Sequence, residues 1–341
     1  MKTGKRHIWW LGILIWGISA CTNIENPDNS RLTNMQLSLE IPVLTKASSN
    51  IGTATHSVDR VLVLPFQKQN VSLPNSQANN FVPVWSLSRQ FNISTFPSSN
   101  LSFTLEGSKT YKVLVIGYNH ADYDHNAPTA NSNRINITSQ PLPTTLANFQ
   151  LYPKLPNEVP EFFICYAQVN GQAGNNVFIP TTGVNLQGKL GRIISGLGVR
   201  ITNIPGYVKS VTLSADNMIK AIRLVDTTAT VVQVAGDNES RNIRTLNVSS
   251  NSVDFGEFLL PSGTAKKVGF YLDIQLGSLT QRYKMNIEDS AVSTDGKLTL
   301  YPNHVIRITG NYNNINYGFV VTEVINLEDN VWDGITLTPA P

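Results

Sequence analysis

Potential metal ligands are concentrated in one short stretch of the chain. The residues with suitable oxygen or nitrogen atoms are His120, Asp122, Asp124, His125 and Asn126. The spacing of the two aspartates and the asparagine matches the start of a calcium-binding loop. The match fails further on, because Ala127 stands where such a loop needs a glycine and Asn133 where it needs a bidentate glutamate. A solvated loop is therefore favoured, and neither a metal site nor a cofactor is predicted.

Candidate catalytic residues are equally few. Glu158 and Glu161 are close in sequence, and a glycosidase needs two neighbouring carboxyl groups, but these two flank Pro160 in a turn-like stretch. Cys165 lies in an apolar run, Phe162–Tyr166, where a cysteine behaves as a small buried hydrophobic residue. The sequence contains no nucleophile elbow, phosphate-binding glycine loop or HExxH motif. We therefore expect that the protein is not an enzyme.

Cys21 has the sequence surroundings of a lipid attachment site. Three basic residues precede an apolar run over residues 8–18, which is too short to span a bilayer and is typical of a signal peptide. The run ends in Ile18-Ser19-Ala20-Cys21, which resembles the bacterial lipobox. This resemblance predicts a signal peptide over residues 1–20 and acyl chains such as palmitate on Cys21, which would anchor a soluble domain to a membrane. The alternative is an ordinary secretory signal with an incidental cysteine.

The residues after Cys21 suggest where the anchored protein resides. The segment 21–34 is polar and is expected to be a tether between lipid and folded domain. The second mature position would be Thr22 rather than an aspartate that retains lipoproteins in the inner membrane, so the outer membrane is favoured. With Cys21 acylated, Cys165 is the one remaining thiol, and no intramolecular disulfide is expected.

Charge and composition narrow the class of protein. The sequence has 26 Lys and Arg and 23 Asp and Glu, and three of the basic residues belong to the predicted signal peptide, which leaves 23 against 23. A neutral chain without a run of Lys and Arg lacks the electrostatic footprint of a nucleic-acid-binding protein. Only 14% of the residues are charged, whereas Asn, Ser and Thr are abundant. This balance favours an all-β fold.

Hydrophobic periodicity supports the all-β prediction. Met35, Leu37, Leu39 and Ile41 alternate with polar residues, as in a strand with one buried face. Three continuous apolar runs are instead typical of central strands that are covered on both faces, and they occupy residues 61–64, 113–116 and 162–164.

The length and the spacing of turns suggest two domains in tandem. We predict an N-terminal β-sandwich over residues 35–187 and a C-terminal β-sandwich over residues 188–341. Residues 118–162 interrupt the first of them with many Asn, Pro, Thr and Asp residues, and this stretch is interpreted as a long surface excursion.

Several of the predicted strands resemble those of a known family. The segments are SVDRVLVLPF at 57–66, LEGSKTYKVLVIGYN at 105–119, LGRIISGLGVRI at 190–201, VKSVTL at 208–213, LYPNHVIRI at 300–308 and VWDGI at 331–335. Together with the lipobox they are similar to the Bacteroidales fimbrillins, the FimA-like subunits and anchors of type V pili. The resemblance spans most of the mature chain and rests on strand patterns.

The resemblance implies a fold and a way of assembling. The fold would be two transthyretin-like Greek-key β-sandwich domains. In polymerising members of the family a protease cuts after a basic residue and removes the N-terminal strand, and a strand from the next subunit occupies the vacated groove. Such an exchange is physically sound, because an inserted strand pairs the free backbone groups and covers the open core.

Mapped onto this chain, the resemblance identifies candidate residues for each step. The strand to be removed would be residues 37–44, and the cleavage candidates are Lys46 and Arg60. The candidate donor strand lies near the C terminus and carries Trp332, Ile335 and Leu337. The partners implied are other fimbrial subunits, the outer membrane through Cys21, and a host or bacterial surface ligand. Both strands could also be ordinary edge strands of an anchor or tip subunit that does not polymerise.

A second interpretation belongs to a different functional class. An outer-membrane glycan-binding lipoprotein of a polysaccharide-uptake system would also be lipidated and all-β. Such a protein would need exposed aromatic side chains that form a flat platform for a sugar. The candidates in predicted loops or strand edges are Trp85, Tyr123, Tyr312 and Tyr317.

Overall fold

The chain folds almost entirely into β-strands, which confirms the predicted all-β class. The computed structural model describes residues 31–41, 57–139, 144–155, 157–225, 228–232, 240–262, 267–288, 293–315 and 318–326. Within these ranges the helical elements are four short 3-10 turns, at Ala78–Asn80, Trp85–Leu87, Leu146–Asn148 and Tyr312–Asn314. No helix in the same ranges is long and apolar enough to cross a membrane.

The first part of the chain forms twelve strands. They are β1 (Leu32–Glu40), β2 (Arg60–Lys68), β3 (Phe81–Pro83), β4 (Arg89–Asn92), β5 (Ser98–Glu106), β6 (Tyr111–Tyr118), β7 (Ile135–Ser139), β8 (Phe149–Pro153), β9 (Phe162–Tyr166), β10 (Gln168–Val169), β11 (Asn185–Lys189) and β12 (Gly191–Arg192). The first strand thus begins within the segment that was expected to be a tether.

The second part forms thirteen further strands. They are β13 (Ser195–Thr202), β14 (Val208–Asp216), β15 (Ala221–Val225), β16 (Thr228–Val232), β17 (Arg241–Asn247), β18 (Val253–Leu259), β19 (Val268–Leu276), β20 (Leu279–Lys284), β21 (Ile287–Glu288), β22 (Ser293–Thr294), β23 (Lys297–Leu298), β24 (His304–Asn311) and β25 (Phe319–Asn326).

The first sandwich consists of two facing sheets. The outer sheet has the strand order β10-β11-β1-β5, and the central sheet has the order β12-β9-β6-β2-β3, with β4 also paired to β2. The three continuous apolar runs of the sequence lie in β2, β6 and β9, which are neighbours in the central sheet. Their side chains are buried on both faces of that sheet, as the runs predicted.

The predicted surface excursion is wrong, because its apolar residues form a third layer. Strands β7 and β8 lie in a joining sheet of order β16-β15-β8-β7. This sheet packs on the free face of the central sheet and buries Tyr123, Ile135, Leu146, Phe149 and Leu151. The apolar residues are scattered among prolines and asparagines, so the sequence shows no periodic pattern that would predict their burial.

The two halves of the molecule share the joining sheet. Strand β15 belongs to the second half of the chain but pairs with β8, with Ile222 opposite Leu151. Ile219, Ile222 and Leu260 are buried in the same apolar core as the free face of the central sheet. The two sandwiches are therefore connected by a shared core and by backbone pairing as well as by the chain.

The second sandwich repeats the connectivity of the first. Its sheets have the orders β18-β13-β24-β25-β21 and β17-β14-β19-β23-β22. In both sandwiches the first strand lies between an antiparallel neighbour (β5 or β18) and a parallel one (β11 or β24). The chain then crosses to the facing sheet. This crossing takes only residues 203–207 in the second sandwich but residues 41–59 in the first.

Candidate functional site

The N-terminal strand β1 occupies a groove in the middle of the outer sheet. It pairs in parallel with β11, where Leu37 lies opposite Leu186. On its other side it pairs antiparallel with β5, where Met35 lies opposite Phe103. Both edges of β1 are thus hydrogen-bonded, and its withdrawal would leave two rows of unpaired backbone groups on the strands that remain.

Three side chains of β1 fill the core beneath the groove. Met35, Leu37 and Leu39 are fully buried, whereas the residues between them face outward. This arrangement confirms the alternation read from the sequence. Full burial of an aliphatic side chain contributes about 1.5 to 3 kcal/mol, so the three together are a large part of what holds β1 in place.

Cys165 lies on the floor of the groove. Its Sγ atom and Cδ2 of Leu39 both lie beside Gly188, at 2.7 Å and 2.9 Å from the place where a Cβ of residue 188 would be. Burial raises the pKa of the Cys165 thiol far above its ordinary value. The cysteine is therefore an unreactive packing residue while β1 is in place, as its apolar sequence context suggested.

The chain re-enters the described structure at Ser57, where it is firmly attached. The backbone N–H and the hydroxyl of Ser57 both donate hydrogen bonds to Oε2 of Glu161, at 2.8 Å and 2.7 Å. Asn119 donates a third hydrogen bond to the carbonyl oxygen of Ser57. Val58 is buried in the same core as β1. The hydrogen bonds of Ser57 thus hold the start of β2 without involving β1.

A buried ion pair supports this attachment. Oε1 of Glu161 lies 2.6 Å from Nη2 of Arg192, and both side chains are almost wholly buried. The guanidinium also lies over the ring of Phe163, 5.2 Å from its centroid. Its nitrogens have no aligned hydrogen-bond acceptor among the described residues, so Glu161 supplies the one close negative charge. We refer to Ser57, Glu161 and Arg192 as the Ser57 anchor.

The structure locates some of the residues proposed from the sequence. Arg60 is the first residue of β2, where it pairs with both Tyr118 and Asn92. Cys21, Lys46 and the donor residues Trp332, Ile335 and Leu337 lie outside the described residues. The described part of the proposed removable strand, residues 37–41, lies in or directly after β1.

The candidate metal ligands are divided among separate ion pairs. His120 pairs with Asp59, Asp122 with Arg134 at 2.8 Å, and Asp124 with Arg60 at 3.7 Å. Among the residues that the structure describes, no group of three or more His, Cys, Asp or Glu side chains is arranged to hold a metal ion. Asp122 and Asp124 thus each face an arginine of the protein itself.

The four aromatic candidates for a sugar platform do not share one surface. Tyr123 is buried in the core, and Tyr317 lies outside the described residues. Tyr312 packs against the core of the second sandwich. Trp85, in the first sandwich, is 39% exposed and stacks on His125, with the ring centroids 5.9 Å apart.

His125 should make the stability of the protein sensitive to acid. The Ser88 hydroxyl, which can donate to the carbonyl oxygen of Trp85, lies 2.8 Å from Nε2 of His125, and Nδ1 is buried without a partner among the described residues. Burial lowers the pKa of His125, and the nearby Asp124 carboxylate offsets only part of that effect. As the pH falls from about 7 toward 5 the unfolded chain therefore binds more protons than the folded one, and stability decreases.

Urea unfolding at several pH values would measure this effect. Replacement of His125 by glutamine should flatten the decrease in unfolding free energy on the acid side of neutrality. A His304→Gln variant, altered in the second sandwich, should keep it. An unchanged pH profile in the His125→Gln variant would exclude this histidine as its source.

The sequence did not reveal two features of the site. Glu161 was considered only as half of a carboxylate pair, and its partner Arg192 stands far away in sequence, so their contact depends on the pairing of β9 with β12. Gly188 lies in a short alternating strand, and a glycine inside such a strand indicates a close approach of neighbouring groups. That signal was present in the sequence and could have been used.

Comparisons with known proteins give structural neighbours of low similarity. No protein-family model matches the sequence, and no curated protein matches it. The fimbrial anchor protein Mfa2 from Porphyromonas gingivalis is 11% identical, with a TM-score of 0.47 over 89% of this chain and 99% of that one. The tip fimbrial protein Mfa3 from the same organism, with a C-terminal truncation, is 12% identical, with a TM-score of 0.37 over 86% and 99%.

A third neighbour carries a different description. It is a candidate polysaccharide-binding protein from Bacteroides thetaiotaomicron, 12% identical, with a TM-score of 0.45 over 86% of this chain and 99% of that one. Because all three scores are low, the functional assignment below depends on the residues and the geometry of this chain.

Proposed function

We propose that the protein is a structural or accessory subunit of a cell-surface fimbria that assembles by exchange of β1 and contributes to adhesion. The observation that carries the proposal is the position of β1, which fills the middle of the outer sheet with three buried side chains. A replacement strand could therefore restore two ladders of hydrogen bonds and a core at once. The fimbrillin-like strand patterns and the lipobox of the sequence support the same assignment.

The long connection after β1 supports a cleavage site within it. The equivalent crossing in the second sandwich needs only residues 203–207, so residues 41–59 are much longer than the crossing requires. Lys46 lies in this surplus chain, and we propose it as the cleavage site. Cutting at Arg60 would require access to a bond inside β2, beside the fully buried Val61. It would also remove Ser57 and its two hydrogen bonds to Glu161.

The proposed donor is the C-terminal segment of another subunit, which carries Trp332, Ile335 and Leu337. Cys21 would hold the exported precursor at the outer membrane by its acyl chains. In a polymerising subunit, cleavage after Lys46 would release the protein from the lipid and open the groove in one step. An anchor or tip subunit would instead keep β1 and its lipid.

The glycan-binding alternative receives less support from the structure. Its aromatic candidates are divided between the core of the first sandwich, its surface and the second sandwich. A sugar platform needs several rings on one exposed face, and the described candidates do not form one.

Limited proteolysis followed by electrophoresis would test assembly. Exported protein trimmed by a trypsin-like protease is expected to form ladders that resist detergent, because each inserted strand is held by many hydrogen bonds and buried side chains. A Lys46→Gln variant should stay monomeric, whereas an Arg60→Gln variant should still assemble. Monomers under every trimming condition would contradict a polymerising role.

A further inference from the structure

We propose that the groove selects its incoming strand chiefly at one position, a pocket between Gly188 and Ser98 that requires a large aliphatic side chain. We call it the Gly188 pocket, and Leu39 fills it in this structure. The inference rests on the proposed function, since it concerns the strand that would replace β1. It specifies what that strand must carry and in which register it must bind.

The walls of the groove differ along its length. Leu37 lies between Leu186 on β11 and Leu101 on β5, so large side chains stand on both sides of it. Leu39 lies between Gly188 and Ser98, so neither neighbouring strand contributes a large side chain at that level. The volume there must be supplied by the strand that occupies the groove.

Two features of the backbone create this pocket. Gly188 cannot be replaced by a larger residue without collision, because its missing Cβ would lie within 3 Å of both Cys165 and Leu39. On the opposite side, the register between β1 and β5 shifts between Leu37 and Leu39. Asn100 adopts a positive φ of 65° in this part of β5 and so brings Ser98 opposite Leu39.

The difference between the two positions predicts a difference in energetic cost. A cavity left by a missing side chain is less unfavourable where neighbours can move into it. Leu186 and Leu101 can relax toward an alanine at position 37. At position 39 the neighbours are a glycine and a serine, so the cavity would persist. The groove should therefore discriminate most strongly against a small side chain at position 39, although Leu37 and Leu39 are both fully buried.

The occupant we assign is the C-terminal segment of a second copy, with Leu337 in the Gly188 pocket. Ile335 and Leu337 have the spacing of Leu37 and Leu39, and Thr336 between them would stand at the outward position of Ser38. Asp333 would then stand at the position of Met35, beside Phe103, which is an unfavourable substitution. The proposed register can be tested by substitutions at Leu337 and at Asp333.

Peptide exchange into the full-length protein would test the pocket. A specific protease site inserted after Lys46 allows β1 to be cut free after folding, and peptides of residues 31–41 then compete for the groove. We expect the Leu39→Ala peptide to bind about 100-fold more weakly than the native peptide, or about 2.8 kcal/mol at 1.4 kcal/mol per factor of ten. The Leu37→Ala peptide, which removes the same atoms, should lose about tenfold.

Peptides of residues 331–340 would test the assigned occupant. Leu337→Ala should weaken binding about as strongly as Leu39→Ala does, whereas Asp333→Met should strengthen it. Equal losses for the Leu37 and Leu39 peptides would overturn the selectivity of the pocket but leave strand exchange intact. Unchanged or tighter binding after Leu337→Ala would overturn the register. If even the native peptide does not enter the cut protein, strand exchange itself fails, and the pocket with it.

Discussion

Removal of β1 from the folded protein is expected to make the Cys165 thiol react with a thiol reagent at least roughly a thousandfold faster than in the intact protein. The thiol is shielded by Leu39, and burial raises its pKa far above the ordinary value. Once β1 leaves, water reaches the floor of the groove, the pKa falls toward its ordinary range, and thiolate forms at neutral pH. Mass spectrometry of protein quenched at successive times would measure the rate.

The experiment requires that Cys165 is the one thiol that can react with the reagent. A Cys21→Ser variant leaves Cys165 as the one thiol of the chain. Excess peptide of residues 31–41 should restore protection, which distinguishes an open groove from general unfolding. If Cys165 remained unreactive after the release of β1 had been verified by mass, the groove would have collapsed, and a strand from another subunit could not enter it.

The sequence was sufficient where burial follows a simple period. Alternation over residues 35–41 predicted the inward side chains of β1, and three continuous apolar runs predicted the central strands of the sheet beneath. In these segments the type of each residue indicates whether its side chain is buried, because side chains in a strand point alternately to opposite faces. The local pattern was therefore enough to identify the strand β1 and the core that it covers, whereas the idea that β1 can be removed came from the resemblance to fimbrillins.

Sequence reasoning failed where burial depends on distant partners. Residues 118–162 contain isolated apolar side chains, such as Phe149 and Leu151, that are buried between the central sheet and residues from the second half of the chain. Glu161 is likewise buried by its contacts with Ser57 and Arg192, which approach it from two other parts of the chain. No local pattern encodes such contacts, and the predicted excursion consequently missed both the third layer and the Ser57 anchor.

Loss of the charge on Glu161 is expected to be among the most destabilising single changes in the molecule. A Glu161→Gln substitution keeps the shape and an oxygen that accepts from Ser57, but it leaves Arg192 buried without a counter-charge. Breaking a buried ion pair in this way costs about 3 to 5 kcal/mol. Denaturant unfolding would measure the change. The matched control is Asp254→Asn at the exposed pair with Arg200, for which we expect less than about 1 kcal/mol.

A second substitution separates the cost of an unpaired charge from the value of the pair. Adding Arg192→Met to Glu161→Gln removes the stranded cation, and most of the lost stability should return, because the main cost of the single variant is a buried charge without a partner. Hydrogen exchange of the backbone amides in β2 would measure whether the Ser57 anchor keeps this strand folded after β1 has left. If Ser57 holds β2 after cleavage, the single variant should lose protection at the start of β2 when β1 is cut free. The unaltered protein should keep that protection. A stable β2 would then preserve the central sheet, which is the floor of the groove that the next strand must enter.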